Sequence, residues 1–130
     1  MESKIMENSI SPSQTEMLKT LCKALDDKFG KDIVVLDIRG ISIMADFFVI
    51  ATGNNPNQVK AMSDEAAHKL SDIGVKMRHS EGYQTASWIL LDFGSIIVHI
   101  FDKESRAFYN LERVWADAPQ VRLDGPGPNK

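Results

Sequence analysis

The sequence predicts an α/β domain, a mixed five-stranded sheet with helices packed on it. Three observations carry that prediction. Stretches of helical periodicity alternate with short β-branched runs, in the order helix, strand, strand, helix, strand, strand, strand, helix. The chain has 130 residues, enough for one core. Its 25% charged and 43% apolar residues exclude a disordered tail protein, a collagen-like repeat and a disulfide scaffold.

The first helix begins at Ser11-Pro12-Ser13-Gln14. Ser11 can cap, Pro12 suits the first helical position, and Gln14 completes a capping box. Met17, Leu18, Leu21, Cys22, Leu25 and Phe29 then form one apolar stripe, closed by Gly30. Cys22 lies in the stripe and is expected to be buried packing. Residues 32–38 (DIVVLDI) read as a central strand and residues 43–51 (IMADFFVIA) as a second. Asn55-Pro56-Asn57-Gln58 repeats the capping pattern. Val59, Met62, Ala66, Leu70 and Ile73 supply the buried stripe, and Gly74 ends it.

Residues 75–80 read as a short, polar edge strand. Residues 87–92 and 95–101 read as a hairpin turning through Phe93-Gly94. Phe108, Leu111 and Trp115 are spaced for a C-terminal helical segment. Residues 1–10 are expected to be a mobile leader, residues 11–118 the domain, and residues 119–130, rich in Pro and Gly, a disordered tail.

The hairpin carries the informative pattern. Strand residues alternate between faces. One face holds Ile89, Leu91, Ile96, Val98 and Ile100, and reads as core. The other holds Trp88, Leu90, Asp92, Ser95, Ile97, His99 and Phe101, and is also largely apolar. An antiparallel sheet with one wet face should be polar there. Either a helix covers this face, or it is a partner site with Trp88 as anchor. Two long helices would have difficulty covering both faces.

The net charge of −3 suits a basic protein partner better than nucleic acid. The single cysteine excludes an intrachain disulfide and points to a reducing compartment. No stretch approaches the roughly 20 apolar residues of a membrane span. A cytoplasmic protein without cofactor is expected.

Three blocks then resemble one family. Asp46-Phe47-Phe48-Val49-Ile50-Ala51-Thr52-Gly53 resembles the DYFVIATG segment of the ribosomal silencing factors, also called the Iojap family. Glu81-Gly82 followed by residues 88–94 (WILLDFG) is similar to its EG and WVLLDFG block. Residues 98–101 (VHIF) and 106–115 (RAFYNLERVW) are similar to its C-terminal block. This chain departs at Asn54-Asn55-Pro56-Asn57 and at Phe47, where tyrosine is frequent.

The resemblance implies a nucleotidyltransferase-like fold without the catalytic carboxylates, and a translational repressor rather than an enzyme. It implies binding to large-subunit ribosomal protein fourteen on the large ribosomal subunit, which blocks the small subunit and lowers protein synthesis when nutrients are short. Rim contact with ribosomal RNA and pairing as a homodimer stay open. Expected partner contacts are Trp88, Leu90, Ile97 and Phe101 for apolar area, Asp92 and Glu112 for charge, and His99 and Tyr109 for hydrogen bonds. Arg106 is expected to tie the C-terminal segment to a carboxylate. The rival readings are nucleotidyl transfer, which needs clustered carboxylates for metal, and direct ribosomal RNA binding, which needs a dense basic or aromatic platform.

Overall fold

Ser11 Oγ accepts the backbone N–H of Gln14 at 3.1 Å, with Pro12 at the first helical position. Helix α1 (Pro12–Asp27) therefore starts where the sequence placed it. The computed structural model describes residues 10–123. At the far end of α1, Phe29 rather than Gly30 takes the left-handed conformation, at φ +64°. Gly30 N–H then reaches back to Leu25 O at 2.9 Å and Phe29 N–H to Asp26 O at 2.8 Å, closing a Schellman motif. Gly30 is needed for contact, because a Cβ there would lie 2.6 Å from Met62 Cε and 2.9 Å from Leu25 O.

Helix α2 (Pro56–Asp72) repeats the design. Asn55 Oδ1 accepts Gln58 N–H at 2.8 Å. Gly74 occupies the left-handed position after its C-terminus, as expected.

The five strands are β1 (Lys31–Asp37), β2 (Phe47–Gly53), β3 (His79–Glu81), β4 (Trp88–Asp92) and β5 (Ile96–Asp102). Their order is β1-β2-β5-β4-β3, with β2 and β5 parallel and every other pair antiparallel. The mixed five-stranded sheet is the one predicted. Helices α1 and α2 cover one face, where Val35, Val49, Ile89, Leu91, Val98 and Ile100 meet Leu21, Cys22, Met62 and Leu70.

Several boundaries differ from expectation. Strand β2 starts at Phe47, because Ile43 and Met44 belong to an exposed loop. Strand β3 shrinks to three residues, because Val75 N–H is taken by Leu70 O at 2.9 Å as part of the helix cap. The hairpin pairs Asp92 with Ile97 and Trp88 with Phe101, so the turn is Gly94-Ser95 rather than Phe93-Gly94. Gly94 adopts φ +94°, and Asp92 Oδ1 accepts its N–H at 2.8 Å. A slip of two residues preserves the faces, so the predicted inward and outward sets survive.

The second face is not bare. The chain crosses it as two short helices, α3 (Lys103–Tyr109) and α4 (Leu111–Val114), in place of the single segment expected. Asn110 breaks them apart at φ +45°. A second core forms beneath, from Leu36, Phe48, Ile50, Ile97, Phe101 and Ala118, with Leu111 and Trp115 packed on it.

The expected tail also changes. Asp37 N–H donates to Pro119 O at 2.9 Å and Val121 N–H to Val35 O at 2.8 Å, so residues 119–121 cover the outer edge of β1. Val121 and Leu123 pack against the first core. The rest of the expected tail, residues 124–130, lies outside the described residues. So does the expected leader, save Ile10, which packs on the first core. Among the described residues no helix is long and apolar enough to cross a membrane.

Candidate partner-binding face

Strand alternation sends Trp88, Leu90 and Asp92 of β4, and Ile97, His99 and Phe101 of β5, to the second face. Cross-strand pairs are Trp88 with Phe101, Leu90 with His99 and Asp92 with Ile97. The C-terminal helices then sort these residues into floor and surface. Ile97, His99 and Phe101 are buried, and Trp88 and Leu90 are half-buried. The expectation that Ile97, His99 and Phe101 offer direct contact is therefore corrected. Tyr109 packs on Phe101, and Leu111 and Trp115 pack on the second core to which Ile97 and Phe101 belong, so these residues lie beneath the face.

Tyr109 arrives from α3 and packs its ring on Trp88 at 4.5 Å and Phe101 at 6.2 Å. Trp88 in turn lies 5.0 Å from Phe101. These separations fall in the favourable range for aromatic pairs. Tyr109 keeps 44% of its surface exposed, and Phe108, edge-on to it at 5.0 Å, keeps 80%. The sequence spacing marks Phe108 only as part of a helical segment with Leu111 and Trp115. The clue to its exposure was Asn110, a residue type that tolerates the left-handed conformation and so breaks the helix.

The outward surface is thus Trp88, Leu90, Tyr109 and Phe108. The loop before β4 holds Trp88 closely: Gly82 sits at φ +85°, and a Cβ there would lie 2.1 Å from Trp88 O.

The polar groups of the face are largely committed within the chain. Trp88 Nε1–H donates to His99 Nδ1 at 3.0 Å. Burial pulls the His99 pKa down to about 4, so the ring is neutral near pH 7. His99 was expected to hydrogen-bond at a rim; it is an interior acceptor instead. Asp92 Oδ1 serves the Gly94 turn, and Oδ2 lies 3.5 Å from His79 Nδ1.

Glu112 was expected to meet a partner's cation, and it meets Arg106 of the same chain. Arg106 Nε donates to Glu112 Oε2 at 3.1 Å, Nη1 to Thr52 Oγ1 at 2.7 Å and Nη2 to Asp32 O at 2.9 Å. Partial burial opposes ionisation of Glu112, but the Arg106 hydrogen bonds and charge leave its pKa below the ordinary value. Arg106 binds a carboxylate, as expected, but one within the C-terminal segment itself. It also reaches the sheet, because Asp32, at φ +50° within a β1 bulge, offers its carbonyl.

Among the described residues no group of three or more His, Cys, Asp or Glu side chains is placed to hold a metal ion. At the Gly53 turn, Asn55 Oδ1 takes Gln58 N–H and Gln58 Oε1 takes Asn54 N–H at 2.6 Å, so these amides are used by caps. Further along the same face, Ile41, Val114, Trp115, Asp117 and Ala118 line a cleft of about 160 Å³.

The family model described as "Ribosomal silencing factor during starvation" matches residues 11–130. Over 113 residues the chain is 43% identical to the ribosomal silencing factor RsfS of Halalkalibacterium halodurans, covering 87% of this chain and 97% of that protein. It is 42% identical to RsfS of Bacillus subtilis over 112 residues, covering 86% and 95%. A crystal structure from Bacillus halodurans superposes with a TM-score of 0.74 at 41% identity, covering 83% of this chain and 98% of the other. With the family's motifs lying on the strands and helices that build this face, the chain belongs to the ribosomal silencing factor family.

Proposed function

We propose that this protein represses translation by occupying the large ribosomal subunit through the Trp88, Leu90, Tyr109 and Phe108 surface. Its docking partner is large-subunit ribosomal protein fourteen, on the side that meets the small subunit. The bound domain, roughly 28 Å across, excludes the small subunit by volume. No turnover is involved. Protein synthesis falls for as long as the factor is bound, and nutrient limitation is the occasion.

One observation supports this reading above the others. Aromatic side chains stay exposed on a floor of buried, mainly apolar side chains. Binding hot spots have that composition, with tryptophan and tyrosine over-represented. The relatives' names as silencing factors support action on the ribosome. The net charge of −3 complements a basic ribosomal protein and speeds encounter. The same apolar surface can pair two copies, in competition with the ribosome. Rim contact with ribosomal RNA adds a salt-dependent part.

The test combines sedimentation with subunit joining. Wild-type protein is expected to travel with purified large subunits and to suppress the light-scattering rise when small subunits are added. Trp88→Ala, checked for native folding, should lose both effects. Undiminished joining with the factor bound defeats the obstruction mechanism. Wild-type sedimentation by Trp88→Ala defeats the assignment of the face.

A further inference from the structure

Trp88 has one polar atom, and the protomer already uses it. Indole Nε1–H donates to His99 Nδ1 at 3.0 Å. The acceptor is held firmly. His99 is only 5% exposed, with Phe48 at 4.7 Å edge-on, Trp88 at 5.8 Å and Phe101 stacked at 6.3 Å.

A neutral imidazole has one donor and one acceptor. With Nδ1 accepting, the proton sits on Nε2, and that buried atom has no hydrogen-bond partner among the described residues. An unpartnered buried donor is unfavourable. A leucine at this position would avoid it. What the histidine supplies here, and a leucine would not, is the Nδ1 acceptor for Trp88.

We propose that His99 is a positioning residue for the partner-binding face, fixing the Trp88 ring so that it meets its partner as a purely apolar surface. The matching patch on the partner is then apolar and carries no acceptor for the indole. This rests on Trp88 being a contact, as argued above. It reverses the usual role of an interface tryptophan, whose N–H commonly finds a partner across the contact. Polar recognition falls instead to the Tyr109 hydroxyl and the surrounding rim.

Two measurements test the proposal: the indole N–H resonance of Trp88 in the free, nitrogen-15-labelled protein, and affinity for purified large subunits. Wild type should show a slowly exchanging indole proton in the free protein. His99→Leu should make it exchange fast and weaken binding roughly tenfold. His99→Asn, whose side-chain oxygen can stand near the Nδ1 position, should restore both. Trp88→Phe gives up some apolar area and the hydrogen bond to His99, so it should bind like His99→Leu, roughly tenfold below wild type and above Trp88→Ala.

If Trp88→Phe binds as poorly as Trp88→Ala, the indole N–H is donated to the partner and the proposal is overturned, while the binding face stands. A fast-exchanging indole proton in the free wild type also overturns it. Should His99→Leu fail to fold, Trp88→Phe and His99→Asn still decide the matter. If Trp88→Ala keeps wild-type affinity, the binding face itself is misplaced, and the proposal falls with it.

Discussion

Replacing Arg106 with methionine should release the C-terminal helices from the sheet. Neither α3 nor α4 contains a fully buried residue. Their attachment rests on the Tyr109 ring, on the half-buried Leu111 and Trp115, and on Arg106. The Arg106 side chain is 13% exposed and that of Glu112 is 36% exposed. Removing one partner of a buried pair costs about 3–5 kcal/mol. Glu112 can rehydrate, which lowers the figure, but the buried Thr52 hydroxyl loses its Arg106 donor. The net loss should be about 3 kcal/mol.

Urea denaturation should show that loss. Native-state hydrogen exchange should show faster exchange across residues 103–115, by roughly 100-fold, ahead of the remaining sheet. Arg106→Lys should recover little, because an ammonium cannot bridge Glu112, Thr52 and the Asp32 carbonyl at once. Unchanged exchange in residues 103–115 would show that Arg106 does not anchor them. Aromatic packing alone would then hold the helices.

His99 has a folded pKa of about 4 against an ordinary 6.5, lowered by burial. Its neutral form therefore contributes stability that is fully present above pH 6.5 and lost as pH falls through about 4, roughly 3 kcal/mol in all. The difference in unfolding free energy between wild type and His99→Asn should shrink by that order across this window; parallel curves contradict it. Phe29→Gly should raise stability by about 1 kcal/mol in chemical denaturation, because a 77%-exposed side chain is held at φ +64°. Gly82→Ala should destabilise by more than about 3 kcal/mol and shift Trp88 fluorescence, since its Cβ collides with the Trp88 carbonyl.

What the sequence revealed follows the range of the interactions. Helix starts are local chemistry: Ser11 and Asn55, each followed by proline and then glutamine, capped as read. The two faces of the hairpin were legible because alternation has period two, and an even slip leaves it intact. The register was not, since Phe93-Gly94 and Gly94-Ser95 both look like turns, and the Asp92 contact to Gly94 N–H belongs to the folded turn.

Non-local events were hidden altogether. The apolar pattern of Ile97, His99 and Phe101 allowed either a covering helix or a partner, and only the return of α3 and α4, invisible to alternation, decides that the chain buries them itself. Residues 119–121 have no strand signal, yet the bare edge of β1 recruits them. Trp88, Leu90 and Tyr109 keep the partial exposure a partner needs. Phe108 joins them because Asn110 turns the helix where spacing suggested continuity.

The most direct test of the account is a calorimetric titration of isolated large-subunit ribosomal protein fourteen with wild type, Trp88→Ala and Lys19→Ala, the last an exposed substitution on α1 across the sheet. Wild type and Lys19→Ala should each form a saturable complex, with affinity lower by roughly 30-fold or more for folded Trp88→Ala. Equal affinity for Trp88→Ala, or a comparable loss with Lys19→Ala, would contradict it.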